Sequence, residues 1–147
     1  MFNKILVAID LAHQEQVPCL VDAALEIRQQ KQGEICLFYA DPNVQQGVST
    51  QQFDSSSIKR HQQEVRLEMA SLLASLKQNC LPEGFDSIEC QTAQGSVHEQ
   101  ILKQAKCIKA DAIVLMSKRP GLSSYFIGSN ADKVVRHAKC SVFVIRD

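Results

Sequence analysis

The residues with most to offer chemically lie in the stretch MSKRPGLSSYFIGSN, from Met116 to Asn130. Lys118 and Arg119 bring positive charge, Gly121 brings backbone freedom, and Gly128 and Ser129 stand just before a helical pattern. Cations, a glycine turn and a helix start are the parts of a phosphate-binding loop, because a helix N-terminus presents unpaired N–H groups to an anion. A second candidate is Asp10, which closes the apolar run KILVAID. Each has a plainer reading. Asp10 is also suited to cap the turn after a strand, Gly128 and Ser129 to start a helix, and Lys118 and Arg119 to form a solvated loop pair. His98 is expected on the surface of a first helical turn, and His137 near a helix end, where a protonated ring suits the dipole. No acid, base and nucleophile set is legible.

Elements must position these residues. KILVAID (Lys4 to Asp10) reads as a short strand buried on both faces and EICLFYA (Glu34 to Ala40) as a second buried strand, with DAIVLM the fourth strand and SVFVIRD (Ser141 to Asp147) the fifth. SIECQTA alternates apolar and polar residues and reads as an edge strand. Val17, Leu20, Val21, Ala24 and Leu25 recur at helical spacing to about Arg28, with Gly33 as the closing glycine. A long loop marked by Pro42, Gly47 and Ser55 to Ser57 precedes a second helix, whose apolar face is Ile58, Val65, Met69, Leu72, Leu73 and Leu76. Ser96 and Glu99 have the spacing of a capping box at the start of a third helix. Ala131, Val134, Val135 and Ala138 form the face of a fourth.

Strand and helix alternate, so the expected architecture is a doubly wound α/β sheet in one domain, 1–147. With strand order 3-2-1-4-5, the winding reverses between the first and fourth strands, which end on Asp10 and Ser117. Ligands of such sheets bind beyond the strand ends at that reversal.

Composition narrows the partners. Lys plus Arg and Asp plus Glu number 16 each in 147 residues, leaving no general field to attract nucleic acid or anionic lipid. The six cysteines form no CxxC pair and have no His at metal-ligand spacing, so they are expected to be reduced thiols. There is no signal pattern and no run of ~18 apolar residues, which points to the cytoplasm. Neither G-x-x-x-x-G-K-[ST] nor an early G-x-G-x-x-G occurs. A phosphate-accepting receiver domain would want clustered acids after the first strand and an aspartate ending the third, where this chain has Asp10 and TAQ. Any ATP hydrolysis is expected to be slow, since nothing positions water or clamps a γ-phosphate.

KILVAID, GSVHEQIL and LMSKRPGLSSYFIGSNADKVVRHAKCSVFVIRD together resemble the universal stress protein family, and the part from Arg119 to Arg146 resembles its F and G type members. The resemblance implies a Rossmann-like five-stranded parallel sheet with helices on both faces, and a stress-response role. It also implies ATP or another adenine nucleotide at the switch point, with accompanying magnesium left open. Asp10 would then bond the ribose or the adenine side, and Ala8 stands where the family often has proline beneath the base. Tyr39, at the end of the second strand, would meet adenine through backbone groups. Gly128, Ser129 and Asn130 would present N–H groups and a hydroxyl to the phosphates.

The ATP-binding members carry G-x2-G-x9-G-(S/T), and here the pattern departs. Ser117 stands at the first glycine, Arg119 and Pro120 surround the second, and the loop is about two residues shorter. A left-handed Ser117 would cost roughly 1–2 kcal/mol, about tenfold in affinity. Gly121 would supply the displaced turn, and Lys118 and Arg119 would offset phosphate charge. The last strand is apolar on both faces at Val142 to Ile145 yet lies at an edge, which predicts a two-fold homodimer. The alternative function is a dimeric stress adaptor that works without nucleotide.

Overall fold

The chain alternates strand and helix from β1 (Lys4–Ile9) to β5 (Ser141–Ile145), with β2 (Glu34–Asp41), β3 (Ile88–Gln94) and β4 (Ala112–Met116) between. The computed structural model describes residues 1–28, 32–42, 55–121 and 127–146. All neighbouring strands pair parallel, in the order β3-β2-β1-β4-β5. The helices are α1 (Val17–Ile27), α2 (Ser55–Asn79), α3 (Val97–Cys107) and α4 (Ser129–His137).

The period of two along β1 sorts its side chains onto two cores. Ile5, Val7 and Ile9 pack with Val17, Leu20, Val21 and Ala24 of α1 and with Val65, Met69, Leu72 and Leu76 of α2. Leu6 and Ala8 face the other way, onto Ile101 and Ala105 of α3 and Ala131 and Val134 of α4. Helices therefore cover both faces, which is why the central strands are apolar throughout. Asp111 sets the register at the lower end: its Oδ2 accepts from the Asn3 and Lys4 N–H groups at 2.9 Å each, and its own N–H donates to Lys4 O at 2.8 Å. β1 and β4 thus start level, and Asp10 and Ser117 follow their other ends.

Several local expectations are corrected. β1 stops at Ile9, and a 3₁₀ segment (Leu11–Gln16) that periodicity does not reveal fills the space before α1. α1 ends at Ile27 with Arg28 extended, so Gly33 does not close it. Gly33 instead lets the chain pass Arg28, where an added Cβ would lie 2.8 Å from the arginine Cβ. Ser55 to Ser57 belong to the first turn of α2 rather than to the loop, and Gly47 lies outside the described residues. Ile58 and Leu73 are only partly buried. No capping box forms: Ser96 is the N-cap of α3, but its hydroxyl meets His98 Nδ1 at 3.1 Å, and the ring two residues on takes the group Glu99 would have needed paired. Val135 is 47% exposed, because the short α4 turns only Ala131 and Val134 inward. His137 does lie in the last turn of α4.

Candidate ligand cleft at the sheet switch point

A cleft of about 560 Å³ opens beyond the ends of β1 and β4, within the range of small-ligand sites. Ala8, Asp10, Tyr39, Ser117, Lys118, Arg119, Gly128, Ser129 and Asn130, the nine residues singled out in the sequence, all line it. Ala8 and Leu115 give it an apolar wall, while the 3₁₀ segment contributes His13 and Gln16.

Asp10 does two things. Its Oδ1 accepts from Ala12 N–H at 2.9 Å and caps the 3₁₀ segment, as the plainer reading supposed. Its Oδ2 faces Arg119 Nε at 3.8 Å, across the reversal point. One carboxylate oxygen is thus structural and the other is turned to the cleft. Arg119 is mostly solvated, so this pair contributes little to stability. His13 lies 3.4 Å from Glu15 rather than facing the arginine.

The glycine argument changes with the backbone in view. Ser117 is not among the residues with positive φ, so the left-handed penalty does not arise there. Gly121 does adopt positive φ, 87°, and takes the turn that the sequence pattern seemed to have lost. Gly128 is needed for proximity: its N–H donates to Ser117 O at 2.6 Å, and an added Cβ would lie 3.3 Å from that oxygen and 3.5 Å from Lys118 Cα. Its N–H therefore already has an acceptor within the chain. Ser129 and Asn130 begin α4, so the first-turn N–H groups there lie at the positive end of the helix dipole.

Tyr39 stands beside β1, paired in register with Ile9. Burial pushes its phenol up to about 12, the Asp41, Asp10 and Glu68 carboxylates add to the shift, and Arg119 opposes it. The hydroxyl therefore stays protonated at neutral pH and can donate.

Two residues that line the cleft each carry a buried polar atom with no partner among the described residues: Ser117 Oγ, on a residue only 2% exposed, and Gln16 Nε2. Each such atom costs on the order of 1–3 kcal/mol while unsatisfied. Sequence reading missed Gln16 because it sits in the 3₁₀ segment, and a lone glutamine before Val17-Pro18 carries no motif. It also missed the pair at the end of β2, where the buried Asp41 carboxylate bonds His61 Nε2 of α2. Among the described residues, no group of three or more His, Cys, Asp or Glu comes together as a cation site, and no helix is long and apolar enough to cross a membrane.

A parallel sheet with the order 3-2-1-4-5 and a cleft at its reversal defines a doubly wound α/β protein of the ligand-crevice class. Residues 1–146 match the Universal stress protein family, and the chain belongs to that family. Family membership places it among stress-response proteins. Universal stress protein G of Shigella flexneri is 27% identical over 146 residues, spanning 99% of this chain and 100% of the relative. The hypothetical protein MJ0577 has a similar structure, with a TM-score of 0.78 at 20% identity over 100% of this chain and 97% of that one. A universal stress protein from Archaeoglobus fulgidus, solved in complex with dAMP, has a TM-score of 0.58 at 17% identity over 98% of each chain. The Rossmann-like fold expected from the resemblance is the fold observed.

Proposed function

We propose that this protein is a cytoplasmic stress-response module that holds an adenine nucleotide, such as ATP, in the cleft between β1 and β4. The observation that carries the reading is the meeting, in one cleft at the switch point, of Asp10 Oδ2, Lys118, Arg119 and the start of α4. The dAMP complex of a family member supports the ligand class. In this reading Ala8 packs under the base, Tyr39 borders it, and Asp10 Oδ2 takes a ribose hydroxyl in place of Arg119. Ser129 and Asn130 offer backbone N–H groups to phosphate. Bound nucleotide orders the loop from Lys118 to Ile127, whose state a protein partner reads; residues 122–126 lie outside the described part.

The test begins with freshly purified protein, denatured and assayed by chromatography for released nucleotide, followed by calorimetric titration of stripped protein with Mg-ATP. Asp10→Ala removes the ribose acceptor, and Gly128→Val forces carbons against Ser117 O. Each should lower ATP affinity at least about tenfold, ~1.4 kcal/mol. No released adenylate and no heat up to millimolar ATP would refute the reading.

The second reading, a dimeric adaptor without nucleotide, is favoured by one observation: Gly128 N–H is already bonded to Ser117 O. Both readings use a two-fold homodimer. Its proposed contact is β5, an edge strand whose residues Val142 to Ile145 are all half-buried. Paired edges would remove that exposed apolar surface. A monomer at micromolar concentration by light scattering would sink the dimer.

A further inference from the structure

Arg119 and Asp10 meet inside the cleft, and the way they meet bears on which ligands it accepts. The Asp10 carboxylate is held in place through Oδ1, which accepts from Ala12 N–H at 2.9 Å. Oδ2 is the oxygen turned to the cleft, and Arg119 Nε faces it at 3.8 Å. A ribose hydroxyl that bonds Oδ2 therefore competes with a guanidinium for one acceptor.

Arg119 is loosely held in that position. The contact is longer than a hydrogen bond, and the arginine side chain is mostly exposed. A phosphoryl group would be the stronger partner, because it carries roughly −1.5 to −2 at neutral pH and takes two parallel N–H bonds from a planar guanidinium. Both destinations belong to one cleft, which Asp10 and Arg119 line together with Ser129 and Asn130 at the positive end of α4. The Tyr39 phenol, raised by burial first and by the Asp41 and Asp10 carboxylates next, is drawn back by Arg119, so the guanidinium lies within electrostatic reach of the wall beside Asp10.

The consequence depends on ligand charge. A neutral nucleoside that uses Asp10 must displace the cation and offers it nothing in return. A nucleotide also displaces it, yet supplies a phosphoryl group for it to bind.

We infer that Arg119 is a specificity-determining residue that guards Asp10 Oδ2 and transfers to the phosphoryl group of an entering nucleotide, so that the cleft selects nucleotides over nucleosides. The inference rests on the nucleotide reading above and deepens it.

The test is calorimetric titration of the full chain with adenosine and with AMP, in the parent, Arg119→Gln, Arg119→Lys, Asp10→Asn and the double variant of Asp10→Asn with Arg119→Gln. Arg119→Gln should bind adenosine about twofold more tightly, as expected for release from a surface ion pair. The same variant should bind AMP about tenfold more weakly, as expected for a lost hydrogen bond to a charged group. Arg119→Lys keeps the charge and should hold AMP affinity within about threefold of the parent. In the Asp10→Asn background, Arg119→Gln should leave adenosine affinity unchanged, since no carboxylate remains to be freed. Adenosine affinity that falls or stays level in Arg119→Gln, or a gain that persists in the Asp10→Asn background, would overturn the competition, while AMP binding by the parent would leave the nucleotide reading intact. AMP affinity unchanged in Arg119→Gln would overturn the transfer to phosphate. Absence of binding by both compounds would defeat this inference and the nucleotide reading together.

Discussion

Asp10 allows its two roles to be separated by chemistry. In Asp10→Ala the acceptor for Ala12 N–H disappears, and loss of such a cap costs about 1 kcal/mol. For a chain of this size that corresponds to a fall in melting temperature of roughly 2–4 °C. In Asp10→Asn the amide oxygen keeps the cap at the Oδ1 position and only the charge facing Arg119 goes. That pair is 3.8 Å apart with the arginine side chain 67% exposed, so its loss costs less than ~0.5 kcal/mol. Thermal and urea unfolding of the three proteins, at low and high salt, reads the difference. The expected order is parent and Asp10→Asn nearly together, with Asp10→Ala below them by a salt-independent amount. If Asp10→Asn fell as far as Asp10→Ala at low salt and both losses faded at high salt, the charge rather than the cap would be the stabilising feature. The division of labour between the two oxygens would then be wrong.

Two further outcomes follow from single residues. Lys109 follows the C-cap of α3 with φ 54°, its N–H bonding Lys106 O at 3.2 Å while Ala110 N–H bonds Ala105 O at 2.8 Å, the double closure of a Schellman turn. Lys109→Gly should therefore raise stability by about 0.5–1 kcal/mol in urea unfolding, and an unchanged or lower midpoint would contradict a strained lysine. The Tyr39 phenol, raised to about 12 by burial, binds its proton more tightly folded than unfolded. Its contribution is complete below the unfolded value of about 10 and is lost as pH rises toward 12. The ultraviolet difference titration between parent and Tyr39→Phe should place its midpoint near the upper value, and ionisation near the ordinary phenol value would refute the burial argument.

The architecture was legible because the signals that carry it are collective. Four apolar runs, the alternating Ile88–Gln94 segment and the helical stripes between them fix the strands and the two-sided cover, whatever any one residue does, and the edge pattern of Ile88–Gln94 agrees with the order observed. Signals resting on one side chain fared differently. Ser96 and Glu99 have capping-box spacing, yet the Ser96 hydroxyl goes to His98, a competitor that spacing rules do not weigh. Val135 fits the apolar stripe of α4, but in a nine-residue helix a small rotation decides which edge of the stripe is covered.

The loop after β4 shows why the candidate site was only partly legible. A glycine pattern reports residue type, whereas a phosphate loop is defined by φ angles and by which N–H groups remain unspent. Ser117 breaks the pattern without needing positive φ, and Gly121 supplies positive φ away from the pattern position. Gly128 keeps the pattern but spends its N–H on Ser117 O. Matching glycines therefore describes neither the backbone angles of this loop nor which of its N–H groups are already bonded. Gln16 is remote in sequence from this loop and is brought to the same cleft by the 3₁₀ segment that Asp10 caps. Loss of that cap should thus loosen one wall of the cleft as well as remove the proposed ribose acceptor, so Asp10→Ala should weaken adenine-nucleotide binding more than Asp10→Asn does.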